Sequence, residues 1–138
     1  MMDKPRVPHW EQILARALMQ ARAQAFIWGQ HDCATWAFDL HRDLTGGPDH
    51  AALWRGGYST PKGCERLRRK LGWNTLEEGG RSLLGEPLAD PRLAQRGDLV
   101  LGGDPEAFGV VIGAKAAFVA PEGLVRVPLA TCRLAWRT

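Results

Sequence analysis

At 138 residues, 45% of them hydrophobic and 24% charged, the chain is one domain long and carries enough apolar material to fill a core without disulfides or a structural metal. This composition excludes a disordered chain. A net charge of +3 is too small an excess to require nucleic acid or another polyanion as a partner.

The opening stretch MMDKPRVPHW lacks the apolar core of a signal peptide, and no later run approaches the length of a membrane span. Synthesis and folding in the cytoplasm, with no membrane span, are therefore expected. From His9 to Phe26, apolar residues at Trp10, Leu14, Ala17, Leu18, Ala21 and Ala25 recur at the spacing of one helix face, with Pro8 just ahead. Gly29 breaks this helix, and Asp32 is placed to cap a second. Cys33, Trp36, Ala37, Leu40 and Leu44 follow at helical spacing until Gly46-Gly47. A short turn of helix from Ala51 to Trp54 leads to a third helix, capped by Ser59 or Thr60 with Pro61 in its first turn. Cys64, Leu67 and Leu71 form its inner stripe, while Lys62, Arg66, Arg69 and Lys70 face outward.

The second half changes character. DLVLG (98–102), FGVVIG (108–113), AAFVA (116–120), LVRVP (124–128) and CRLAW (132–136) are short, apolar and rich in β-formers. Turn residues separate the first four runs, which predicts an antiparallel meander. Helices followed by a sheet make residues 1–138 a single α+β domain with about five short strands.

Cys33, Cys64 and Cys132 are too few and too widely spaced for a disulfide framework or a zinc knuckle, and no metal or cofactor is expected. Cys33 carries the most chemistry. A thiol in the first turn of a helix meets the positive end of the dipole and free backbone N–H groups, which favour thiolate and can hold an oxyanion. Its alternative is a structural thiol packed at the start of a core helix.

The stretch FIWGQHDCATWAFDL, followed by RGDLVL and FGVVIG, resembles the NlpC-type cell-wall cysteine peptidases, of papain-like fold. The resemblance implies that the Asp32-Cys33 helix packs against the sheet and that Gly97-Asp98 opens the first long strand. WG-x-x-DC, the RGGY loop, RGDLVL and C-x-x-AW together resemble a set of phage-encoded proteins. That likeness implies a place among tail-tip genes, in the slot where related phages carry a cell-wall peptidase. The peptidases supply their general base from a histidine on the strand after Gly-Asp. Here that position falls on Ala107 or Phe108, the residue that would orient the base falls within KAAFVA, and no histidine follows His50.

A cysteine peptidase needs a base within hydrogen-bond reach of its thiol. His31, two residues before Cys33, and His50, on the loop after the second helix, are the substitutes to consider. His9 and His41 read as surface residues, Asp32 as a helix cap, and Asp98 as a structural residue at a strand start. The RLRRK run (66–70) reads as a solvated helix face, so nucleic acid is not an expected partner.

The expected function is a structural or assembly component of a phage tail tip with a degenerate peptidase fold, contacting hub or distal tail subunits. The alternative is an active peptidoglycan peptidase or amidase aiding DNA entry through Cys33. A third class is a host-directed binding module that uses exposed tryptophan and arginine.

Overall fold

The computed structural model describes residues 5–138. Met1–Lys4, the start of the stretch read above for a signal peptide, lie outside the described residues. Four α-helices precede a five-stranded antiparallel sheet, an α+β arrangement. Among the described residues no helix is long and apolar enough to cross a membrane.

Helix α1 (Trp10–Ala23) stops before Phe26, because Gln24 turns extended and the chain enters a tight loop. In that loop Ile27 and His31 exchange backbone hydrogen bonds, N–H to carbonyl, of 3.0 and 2.8 Å. Helix α2 (Cys33–Thr45) begins where Asp32 accepts from the Thr35 amide and ends at Gly46 in the left-handed region. Helix α3 (Pro61–Lys70) is capped by Thr60, with Pro61 in its first turn. Both helix starts follow from local chemistry, a short polar acceptor satisfying an amide that the helix cannot.

Helix α4 (Leu76–Leu84) was not expected. It opens with a capping box in which Thr75 and Glu78 satisfy each other's backbone amides. Gly79 and Gly80 lie in its middle, where glycine weakens a helix. Their value is in packing: a Cβ on Gly80 would stand 2.7 Å from the Trp136 ring. Trp136 is fully buried and donates its indole N–H to the Gly85 carbonyl at 2.9 Å.

The strands are β1 (Leu99–Gly102), β2 (Ala107–Val111), β3 (Lys115–Ala120), β4 (Gly123–Pro128) and β5 (Leu134–Trp136). Strands β1 to β4 form the expected meander. The fifth departs from it: the sheet order is β4-β3-β2-β1-β5, so the chain crosses to pair β5 with β1. The crossing is anchored by a 3-10 turn, Leu129–Thr131, whose Leu129 is buried against the outer face of the sheet with Val111, Phe118 and Cys132. On the inner face, Leu99, Leu101, Phe108, Val110 and Trp136 meet Trp36, Phe38 and Leu40 of α2. Both faces are therefore covered, which explains why β1 reads as an unbroken apolar run rather than an alternating one.

Asp98, at the head of β1, is fully buried. Its carboxylate accepts from Arg6 Nη2 at 2.8 Å, Arg137 Nε at 3.2 Å, and the amides of Gln95 and Thr138 at 2.8 and 3.2 Å. One side chain thus joins the segment before α1, the loop into the sheet and the residues after β5.

Candidate functional site

The loop before α2 and the loop after the 3-10 turn His50–Leu53 meet around Asp32. Its carboxylate, 1% exposed, accepts from the Thr35 amide at 2.9 Å, the Gly29 amide at 2.8 Å and the Tyr58 hydroxyl at 2.6 Å. Gly29 has φ 82, and a Cβ there would stand 2.2 Å from the Tyr58 carbonyl oxygen. The Gly56 amide also donates to the Gly29 carbonyl at 2.9 Å. The WG-x-x-DC and RGGY motifs are therefore two halves of one structure that fixes the start of α2. Burial and the Asp32 carboxylate both push the Tyr58 phenol well above its ordinary pKa, so Tyr58 acts there as a neutral donor.

Cys33 sits at the junction of α2 and the sheet. The residue keeps part of its surface, yet burial dominates the surroundings of its sulfur. Burial and then the adjacent Asp32 charge push the thiol up to about 12. The amides of Phe108 and Ala34 act in the opposite direction and are outweighed. This corrects the expectation of a thiolate. The helix dipole is present, but desolvation and a carboxylate next in sequence exceed it, so Cys33 is a neutral thiol at physiological pH.

Of Ala107 and Phe108, the second is 4% exposed, and its ring lies 5.1 Å from Phe38 and 6.2 Å from Trp136 between centroids, within the core.

A family model described as a domain of unknown function, DUF6950, matches residues 5–138. The chain belongs to the DUF6950 family. No curated protein and no solved structure matches it.

In this DUF6950 domain the two substitute histidines lie in different surroundings. His31 is 4% exposed and lines the cleft between α1 and α2 with Gln20, Trp36, Asp39 and Leu40. Its Nε2 is buried without a hydrogen-bond partner, and burial lowers its pKa against the pull of Asp32 and Asp39. His50 stacks on His41 at 5.6 Å and meets the Phe38 ring edge-on at 6.0 Å. Phe38 and His41 lie five and eight residues along α2 from Cys33, about 7.5 and 12 Å at 1.5 Å per residue, so His50 packs against the middle of α2 and not its start.

His41 itself corrects the sequence reading. It is 8% exposed, because Arg42 and Asp43 point to the outer side while the His41 ring turns inward onto Phe38 and His50. His9 is exposed, as expected. Among the described residues no cluster of His, Cys, Asp and Glu is arranged to hold a metal ion.

A feature that sequence reasoning missed lies beside the start of α2. Trp54, Tyr58, Leu67, Leu71, Trp73 and Leu83 line an open groove between α3 and α4, together with Phe108 and Ala34. The inner stripe of α3, including half-buried Cys64, faces this groove. Only the helix α4 completes it, and without that helix the stripe reads as ordinary core.

Proposed function

We propose that this domain is a non-catalytic relative of the NlpC-type peptidases that serves as a structural or assembly component of a phage tail tip. The observation that carries this reading is the environment of Cys33: burial and the adjacent Asp32 carboxylate push its thiol up to about 12, and Phe108, one of the two residues at which the base would stand, is buried in the core. A nucleophile needs a base within hydrogen-bond reach and access for substrate. Here the elements that would present a nucleophile, namely the Asp32 cap, the Gly29 turn and the α2 start, are retained as a rigid scaffold. The tail-tip setting is supported by the shared WG-x-x-DC, RGGY, RGDLVL and C-x-x-AW motifs.

On this reading, purified particles of the phage that encodes the chain contain it, and Cys33→Ala enters them at wild-type stoichiometry. Quantitative mass spectrometry of purified tails checks both points. Absence of the protein from particles, combined with normal tails after its deletion, would overturn the assignment.

A further inference from the structure

The cleft between α1 and α2 extends from Gln24 and His31 at one end to Ile13 and Arg16 at the other. Its two parts share Ala17, Gln20 and Asp43, so they form one continuous cleft, and none of its residues lines the α3–α4 groove. Helix α1 contributes Arg16, Gln20 and Gln24 at intervals of four, a single row on its surface. Helix α2 contributes Asp39, Arg42 and Asp43 from the facing side.

His31 is the buried polar group of this cleft. Its ring is held in place by the two backbone hydrogen bonds to Ile27 and by the Asp32 cap that follows it. The residue is 4% exposed, and its Nε2 is buried with no hydrogen-bond partner. Buried polar atoms are nearly always paired, and one left unpaired costs about 1–3 kcal/mol. Three carboxamides line the same cleft, those of Gln20, Gln24 and Gln30, and none makes a side-chain hydrogen bond among the described residues. Donors and acceptors therefore stand together here without protein partners.

The charges say what kind of ligand suits them. The cleft is lined by two arginines, Arg16 and Arg42, and two aspartates, Asp39 and Asp43, which cancel. Arg42 is already engaged by Asp43 at 3.0 Å, Asp49 at 3.5 Å and Asp39 at 3.7 Å, and Arg55 also pairs with Asp39. Burial outweighs the pull of Asp32 and Asp39 and keeps His31 neutral. A neutral imidazole nitrogen either donates or accepts, and a glutamine carboxamide does both. An amide, with a carbonyl and an N–H on one uncharged edge, meets both requirements.

We propose that the α1–α2 cleft binds an uncharged amide, a small carboxamide or the backbone of a peptide, which bridges His31 and the carboxamides of Gln20 and Gln24. The site is independent of Cys33 and of the tail-tip reading.

The test is an NMR titration of the isotope-labelled full chain with acetamide and with N-acetyl-triglycine amide, alongside acetate and methylammonium as charged controls of similar size. Both amides are expected to give saturable shifts at the His31 ring nitrogens and at the Gln20 and Gln24 side-chain NH2 groups. Tighter binding of the peptide would mark an extended segment as the natural ligand, and equal affinity a small carboxamide. Gln20→Ala with Gln24→Ala changes two exposed helix positions, so the fold is retained, and it should weaken amide binding by about tenfold, the loss of one to two hydrogen bonds. The absence of a saturable shift with either amide would overturn the proposal. So would equal shifts with acetate or methylammonium, or amide binding indifferent to the double substitution.

Discussion

Asp98→Ala is expected to lower folding stability by about 3–5 kcal/mol, the range for breaking a buried ion pair by removing one partner. The carboxylate is fully buried and accepts four hydrogen bonds, from Arg6, Arg137, and the amides of Gln95 and Thr138. Removing it deprives two guanidiniums, 11% and 16% exposed, of the carboxylate they share. It also leaves two backbone amides facing the vacated space. Asp98→Asn keeps the shape and one acceptor, so its loss should be smaller. Urea unfolding followed by circular dichroism checks both variants. A loss of under about 1 kcal/mol, the size of an exposed pair, would show that the cluster does not hold the sheet to the chain ends.

The second large effect is at Asp32. Asp32→Ala removes the α2 cap and the acceptor shared by the Gly29 amide and the Tyr58 hydroxyl, all buried or nearly so. A lost cap costs about 0.5–2 kcal/mol, and a buried donor left without its acceptor about 1–3 kcal/mol, so a total near 2–4 kcal/mol is expected. The same change removes the charge that ranks second among the causes raising the Cys33 pKa, so the thiol should ionise at lower pH in this variant. A stability loss no larger than that of an ordinary exposed cap, with no change in thiol titration, would mean that the WG-x-x-DC and RGGY motifs are not coupled through Asp32.

Local rules made much of this legible from sequence. Asp32 and Thr60 announce helix starts, Gly46 a helix stop, and the turn residues between the first four β-runs the meander. What was illegible depends on contacts between residues far apart in the chain. Thr75-x-x-Glu78 has the spacing of a capping box and went unread, because Gly79-Gly80 argues against a helix unless Trp136, more than fifty residues later, is known to press against it. The crossing of β5 to β1 is likewise decided by where Leu129 and Trp136 find cover. His41 looked solvated because its sequence neighbours are charged, although neighbours on a helix face different sides.

At the site, the position of Cys33 was readable and its protonation state was not. The helix-dipole argument is local and correct in sign. Burial and the charge of Asp32 decide the outcome, and burial is set by tertiary packing that no local pattern announces. The groove is the clearest omission, since its lining is drawn from α2, the RGGY loop, α3, α4 and β2 together.

The central claim, that Cys33 is a packed neutral thiol and not a nucleophile, is tested most directly by site-resolved alkylation. The folded protein would be treated briefly with iodoacetamide across a pH series, and modification at Cys33 read by peptide mass spectrometry. A thiol whose pKa is pushed up to about 12 should remain nearly unmodified at neutral pH, with reactivity rising only in strong alkali. Rapid modification of Cys33 with an inflection at or below pH 7, in protein shown to be folded, would contradict the account and restore the peptidase reading.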